Sequence, residues 1–528
     1  MASGKKVISS GLSDGKGKRV LTKVRMPYRW AHALMVLFIY AFCTLVFGDV
    51  FQRAQQDCYV TCDAERMAFV LRQSGGNFYW AMRYLMLVFN NIWLGGAVLT
   101  VLLVGSACCL SRSLRLSRRW KLLSFTLPLS LLGYFAWRGT RIYFHDEPSM
   151  IMGLPLWVFV ITAMGALIAT VVRKSKSACP TCTSHAHLMS VLTVGLMSVG
   201  LLGFTNYYRE NDVAVVSMQN KLLKGDWAGM SDDALSVRRG DRSVAAYYAI
   251  SLVQQNQLLE RLFDFAYDYP QDGPNLSDKG KSEVSLYESD CNFYAGLVNS
   301  AYRVAMERHV MTGPSIYNYK RLLICSILNG EVNLAKRYLK ALEVVPFEGD
   351  FVARYAPMID DPQQIANDPE LVKVLYLAPR EVNYEQHYRR PMFLGYNVGL
   401  SYGSEQTLIT SIAATLYSKD LMRFMNMATI LRQKNGGRLP QIVRQAIMVY
   451  SMTHDEAKNV FPEVCNDRML LSNFQAFVAE AKPYLKDKAE LRKRMKKNWL
   501  GTYYYYYYCE NNEPYQVHKV DNSAGGVN

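Results

Sequence analysis

No G-x-S-x-G elbow, phosphate-cradling glycine loop, H-E-x-x-H pair or dinucleotide fingerprint occurs in the 528 residues. This removes the catalytic motifs that spacing alone reveals, though an enzyme whose residues are scattered over several helices would leave no such trace. Runs of β-branched residues alternating with polar ones are scarce, which argues against a fold built from half-buried strands. No basic stripe interleaved with aromatics is present, so the net charge of +16 does not point to a nucleic-acid partner. Eleven cysteines, scattered along so long a chain, do not frame a disulfide scaffold.

Acidic residues are sparse only in the first part. Residues 1–205 hold 22 Lys/Arg and 7 Asp/Glu, a net of +15; residues 206–528 hold 38 and 37, a net of +1. The basicity belongs to the apolar part of the chain, where phospholipid headgroups and topology account for it.

Five apolar stretches lie near Trp30–Val50, Ile92–Leu110, Leu122–Trp137, Ile151–Val172 and Leu188–Thr205. A bilayer crossing takes about 20 apolar residues, so the third and fifth are short. Trp30, Trp80, Trp93, Trp120, Trp137 and Trp157 fall near the ends of these stretches, as membrane-interface aromatics do. Phe78–Phe89 reads as a helix in the interface or as an extension of the second stretch. No Asp, Glu or Lys sits deep in any stretch, which weighs against an ion-coupled transporter.

Lys and Arg set the expected orientation. The leader to Arg29 and the loops Ser111–Lys121 and Arg173–His187 together carry sixteen; the alternate loops 51–77 and 138–150 carry five. This predicts a cytoplasmic N-terminus. With an odd number of spans, the chain after residue 206 lies outside. A basic leader of nearly 30 residues, with no small-residue cleavage site after the first apolar run, reads as an uncleaved signal-anchor.

From Asn211 the spacing is helical: Ala335, Tyr338, Leu339 and Leu342 fall at i, i+3, i+4 and i+7, and Leu421, Phe424, Met425 and Ala428 repeat it. Three similar turns interrupt the pattern, at Lys224-Gly225-Asp226, Asn329-Gly330-Glu331 and Ser418-Lys419-Asp420. Each follows an apolar pair and precedes an apolar restart, as the loop of a helical hairpin does. Repeated hairpins suggest a tetratricopeptide-like solenoid. Tyr267–Glu288, rich in Pro, Gly, Ser and Asp, reads as a loop, and the polar residues after Glu510 as a tail. The expected class is all-α: an N-terminal transmembrane helix bundle of about five spans followed by a tetratricopeptide-like α-solenoid. The divisions are a basic tail (1–29), a transmembrane domain (30–205), a helical-repeat domain (206–509) and a flexible tail (510–528).

Four groups of residues could carry chemistry. Cys179, Cys182, His185 and His187 have the residue types of a zinc site, and the CPTC segment could equally be a redox pair, against an ordinary loop as the simpler reading. Cys58 and Cys62 could bridge if they share a helix, where Cα atoms four apart come near 6 Å. Arg138, Arg141, His145, Asp146 and Glu147 could form an enzyme-like cluster, with His145 as general base and the arginines holding an anion. Consecutive residues rarely converge on one site, so an interfacial loop is the simpler reading. Tyr503, Tyr504, Tyr505, Tyr506, Tyr507 and Tyr508 could stack on a sugar or peptide, or cap the solenoid with alternate rings buried.

Several segments also carry a resemblance. GLVNSAYRVAME and YKRLLICSILNGEVNLAKRYL within Gly296–Leu339, GGNFYWAMRY and WLGGA within Gly75–Ala97, MVYSMTH at Met448–His454 and the aromatic end at Thr502–Tyr508 resemble a family of bacterial multi-pass membrane proteins of unknown function. The resemblance implies an inner-membrane protein with a tetratricopeptide-like periplasmic region, and it carries over no catalytic or binding residue. The expected function is a membrane-anchored scaffold that binds an envelope protein or peptide without cofactor or nucleic acid. A membrane-embedded glycan or lipid transferase using the His145 loop is the alternative.

Overall fold

The computed structural model describes residues 28–117, 120–139, 147–172, 185–267, 288–378 and 404–510. All regular structure among them is helical. The chain opens with α1 (Tyr28–Ala41), which runs through a π-helical turn, Phe42–Val46, into α2 (Gly48–Gln56) with a bend of 55°. A short hairpin follows, α3 (Ala68–Leu71) and α4 (Gly76–Met86), then α5 (Ile92–Ser113). Next come α6 (Thr126–Arg138), α7 (Met150–Val171) and α8 (His185–Tyr208).

The helices α5, α7 and α8 are long and apolar enough to cross a membrane, and the bent α1–α2 pair could make a fourth span. The third expected stretch falls short. Lys121–Phe125 is a 3-10 turn and α6 has only 13 residues, about 20 Å of helix against a hydrocarbon core of about 30 Å. Five spans are therefore not defined by helix length.

Small residues let these helices approach. A Cβ on Gly96 would lie 2.4 Å from Thr44, and one on Gly105 would lie 2.8 Å from the Phe159 ring. Such positions drive packing where helices cannot gain by hiding apolar surface from water. Asn91 starts α5 by accepting from the backbone N–H of Trp93 and Leu94. At the other end of α5, the Arg115 guanidinium donates to Ala169 O and Val172 O, the last carbonyls of α7, at 3.1 and 3.4 Å. The C-termini of α5 and α7 thus lie together. Arg209, after α8, donates to Ala136 O and Trp137 O at the C-terminus of α6.

The rest of the chain stacks helical hairpins beyond that second end: α9 (Glu210–Lys224), α10 (Trp227–Ser236), α11 (Arg242–Gln255), α12 (Leu258–Arg261), α13 (Glu288–Tyr294), α14 (Val298–Thr312), α15 (Ile316–Leu328), α16 (Val332–Leu342), α17 (Gly349–Asp360) and α18 (Pro369–Leu377). After the undescribed stretch come α19 (Glu405–Tyr417), α20 (Leu421–Lys434) and α21 (Gln441–Ser451), two short helices α22 (Glu456–Val460) and α23 (Pro462–Cys465), then α24 (Arg468–Ala481), α25 (Lys488–Trp499) and α26 (Tyr503–Cys509).

All three turns expected from sequence are present with one geometry. Gly225, Gly330 and Lys419 hold φ of +70, +72 and +57°. In each, the next residue's N–H reaches five residues back: Asp226 to Lys221 O, Glu331 to Ser326 O and Asp420 to Thr415 O. This double-bonded helix ending satisfies the orphan carbonyls and reverses the chain. Gly296 and Asn256 form two more such endings, which the sequence reading did not pick out.

Two apolar cores result. One joins α1, α2, α5, α6 and α8; the other fills the hairpins. Residues from both sides of position 206 enter each of them. Tyr59, Met67 and Val70 are buried in the hairpin core, so the loop after α2 packs with the region expected to begin about 150 residues later. Val216 on α9 returns the exchange by packing into the first core.

A candidate functional site at the joint between the two cores

Where the cores meet, the filling is ionic. The last turns of α2 project Arg53, Gln56 and, just past the helix, Asp57 into the hairpins. Arg53 is fully buried. Its Nη1 donates to Asp57 Oδ2 at 2.8 Å, its Nε to Gln219 Oε1 at 3.2 Å, and its guanidinium lies 3.7 Å over the Tyr317 ring. Asp57 Oδ2 also accepts from Arg308 Nη2 at 3.2 Å.

The network continues inward. Gln219 donates to the Tyr247 hydroxyl at 2.7 Å, and the Tyr247 and Tyr317 hydroxyls both donate to Asp290 Oδ2. Arg321 Nη2 donates to Asp290 Oδ1 at 2.7 Å, with its guanidinium 4.0 Å from the Phe293 ring. A second branch ties Gln56 to Lys320 and Glu348: Lys320 Nζ lies 3.1 Å from Gln56 Oε1 and 2.7 Å from Glu348 Oε2. Each ion has a partner of opposite charge, as burial demands, although Asp57 Oδ1 and Arg321 Nε are buried without a hydrogen bond.

Its electrostatics follow from burial. Burial raises the phenols of Tyr247 and Tyr317 well above their ordinary 10.0, and the Asp290 carboxylate adds to the effect. Burial lowers the Lys320 ammonium below 10.5, with the Glu348 attraction opposing it. For Arg321, burial pulls down but Asp290, Tyr294 and Tyr317 outweigh it, and the guanidinium stays charged.

A small pocket of about 40 Å³ opens beside this network, lined by Tyr294, Lys320, Arg321, Phe351, Arg354 and Glu370, among others. It has room for a few waters rather than a drug-sized ligand. Arg354 at its mouth pairs with Asp368 and Glu370, and Tyr294 donates to Glu370 at 2.6 Å. Asp290, Glu348, Asp368 and Glu370 each hold a cation. The site's chemistry is that of a structural joint.

Of the residues singled out from sequence, few come together. Arg138 ends α6 with its guanidinium 5.9 Å from the Trp137 ring. Glu147 is gripped by Arg83, Nε to Oε1 at 2.7 Å and Nη2 to Oε2 at 2.8 Å, and it also accepts from Ser149. Arg141, His145 and Asp146 lie outside the described residues, as do Cys179 and Cys182; the backbone of His185 and His187 begins α8, but their side chains are not described.

Cys58 and Cys62 are free thiols, one buried and one exposed. The shared helix that would have bridged them does not form. The helix α2 stops at Gln56, where Asp57 turns inward to Arg53 and Arg308, and the Cys62 sulfur instead accepts from the Tyr84 hydroxyl at 3.1 Å.

The six tyrosines form α26, capped by Thr502, whose Oγ1 accepts from Tyr505 N. Tyr503, Tyr504, Tyr505 and Tyr506 are all buried, in succession rather than alternately, so these four rings are core and not a stacking surface. The Tyr503 and Tyr506 hydroxyls donate to Leu416 O and Tyr417 O, and both rings pack on Phe263. The last helix thereby clamps α19 to the end of α12.

The sequence reading passed over the joint. In the sequence Arg53 is one of the five basic residues of the alternate loops and nothing more. One signal was present: Lys320 and Arg321 sit within α15, nearly all of which is buried, so both cations required interior partners.

Fold and joint together define a class: an all-helical protein in which long apolar helices are fused, through buried ion pairs, to a stack of helical hairpins. The chain belongs to a family of unknown function, DUF6057, whose model matches residues 136–510. The match runs from the end of α6 through α26, whereas the joint also draws on Arg53, Gln56 and Asp57, which precede it. No curated protein and no solved structure matches the chain.

Proposed function

We propose that this protein is a membrane-anchored scaffold, held in the inner membrane of a bacterium, whose outer helical-repeat region binds a protein or peptide of the cell envelope. The observation that carries the anchoring is the outward face of the apolar helices. Ile161, Leu167 and Val171 on α7, and Leu196 and Val199 on α8, are each at least 60% exposed. Aliphatic surface so exposed has no place in water and suits lipid. The bent α1–α2 pair, α5, α6 with its preceding turn, α7 and α8 make the five crossings. The excess of Lys and Arg in the leader and alternate loops puts the N-terminus in the cytoplasm and the hairpins in the periplasm.

The scaffold reading rests on the stacked hairpins, an architecture that offers extended surfaces rather than a catalytic cleft. The transferase alternative draws no support from Glu147, whose two oxygens are held by Arg83.

The test is affinity capture of the tagged full-length chain from detergent-solubilised envelope after mild cross-linking, followed by mass spectrometry. One enriched envelope protein at near-equal stoichiometry, lost when α19–α26 is deleted, supports the scaffold. Capture of nothing above an untagged control sinks it. Accessibility of cysteines introduced at 115 and at 469 to an impermeant thiol reagent reads topology separately, with only 469 expected to react from outside.

A further inference from the structure

The hairpin region carries an apolar pair that its own core does not use. On α14, Ala301, Ala305 and Arg308 are buried. Its last turn reverses this: Val310 and Met311 are 76% and 59% exposed. The helix ends at the joint's membrane-facing rim. Arg308 reaches Asp57, directly after α2, and a Cβ on Gly313 would meet the Phe69 ring of α3 at 3.0 Å. Phe69 lies 5.0 Å from the Arg83 guanidinium, which grips Glu147 just before α7.

From there apolar side chains continue toward α7, with the exposed Arg72, Gln73, Ser74 and Asn77 set between them at the turn of the α3–α4 hairpin. The helix α4 packs along the first turns of α7, with the Phe78 ring 5.4 Å from Trp157. Trp157 is itself half exposed and heads the outward aliphatic row of α7. Phe69, Leu71, Tyr79 and Trp80 are only partly buried against the hairpin core. Aromatic side chains at this level, with an aliphatic pair beside them, are what the boundary between headgroups and acyl chains accommodates.

We propose that the α3–α4 hairpin and the last turn of α14 form one ledge seated in the outer phospholipid leaflet, with Val310 and Met311 inserted beside the headgroups. The partner is the lipid surface itself. The argument for that occupant is the packing of α4 on the first turns of α7, where Phe78 meets Trp157 at the head of the outward aliphatic row. The proposal rests on the membrane reading given above. It fixes the tilt of the hairpin stack: Asp57 and Arg308 hold α14 from inside while lipid holds its tip from outside.

The test is a benzophenone photo-crosslinker introduced in turn at Met311, Ile161 and Met469 of the full-length chain, in nanodiscs of phosphatidylethanolamine and phosphatidylglycerol. Met469 is highly exposed but lies on α24. Phospholipid adducts at Met311 and Ile161, with none at Met469, are the expected result. Adducts at Ile161 alone overturn the ledge and leave the membrane reading standing. No adduct at Ile161 overturns the membrane reading, and the ledge with it. In native membranes, a protein adduct at Met311 in place of lipid overturns the ledge in favour of a protein contact.

Discussion

The apolar helices and the hairpins use the same secondary structure with opposite rules. On α7 and α8 the large aliphatic side chains point outward, as at Leu167, Ile168, Leu196 and Val199. On α15 and α21 they point inward, and both helices bury nearly every residue. The first region packs through small residues such as Gly96 and Gly105, the second by filling a core with Leu, Ile, Tyr and Phe. The difference shows which interactions each region can use. Where the surroundings are apolar, hiding aliphatic surface gains nothing, so close backbone approach and satisfied backbone groups must hold the helices. Where they are aqueous, burial of apolar surface does it. The ions sit between, where neither rule applies alone: buried from water, yet fixed by partners drawn from both sides.

The sharpest way to break this comparison is to separate the regions. A fragment of residues 206–528 loses Tyr59, Met67 and Val70 from its core and Arg53, Gln56 and Asp57 from its joint. It should fail to give a cooperative thermal transition by circular dichroism, and it should be cut rapidly by protease within α14 and α15. A fragment that unfolds cooperatively would show that the hairpins are an independent domain after all.

Next in size, Asp290→Ala leaves Arg321 buried without its carboxylate and strips two phenols of their acceptor. Removing one partner of a buried pair costs about 3–5 kcal/mol. The change should appear as a lowered midpoint in denaturant unfolding of the full-length chain in detergent. A loss below about 1 kcal/mol would place the joint with weak surface pairs.

Alkaline pH should loosen the hairpins before it affects the apolar helices. Tyr247, Tyr267, Tyr294, Tyr317 and Tyr503 are held well above 10.0 by burial. Below that value folded and unfolded states both keep these protons. Above it the unfolded state releases them first, so stability falls as pH rises beyond 10.0. Tyrosinate absorbance should lag until unfolding and then rise in one step with loss of the hairpin signal; a gradual rise with no unfolding would contradict it.

The smallest effect concerns the repeated turn. Gly330 has open space around it but φ of +72°. Gly330→Ala should cost about 1 kcal/mol through backbone strain alone. An unchanged midpoint would show that the turn relaxes to another helix ending.

The candidate site was less legible than the turns, for a physical reason. The turn at Lys224-Gly225-Asp226 is local: a left-handed residue and a following cap lie within a few positions of one another. The joint is not. Arg53 meets Gln219 across 166 positions and Asp57 meets Arg308 across 251. Nothing in the sequence around Asp57 distinguishes a loop carboxylate from one that ends a helix by turning into a core. The short third stretch is hard to read for a related reason. Hydropathy sees an apolar run from Leu122 to Trp137, but the backbone spends its first turn as a 3-10 segment and leaves a helix of 13 residues. The tyrosines form a last helix, yet their burial does not alternate. Tyr506 packs on Phe263 and Tyr417 while Tyr504 packs on Phe477, so neighbouring rings face different parts of one core.

By itself the sequence determined what depends on neighbours along the chain: the all-helical class, the long apolar helices, the charge imbalance between the two regions and the hairpin turns. Period, composition and capping act over a few residues, so they can be read in one dimension. Only the tertiary structure decided that the loop after α2 belongs to the hairpin core, that Glu147 is committed to Arg83, and that ion pairs seal the joint. Those outcomes depend on which distant side chains share a volume from which water is excluded, and a buried charge has no local signature until its partner arrives.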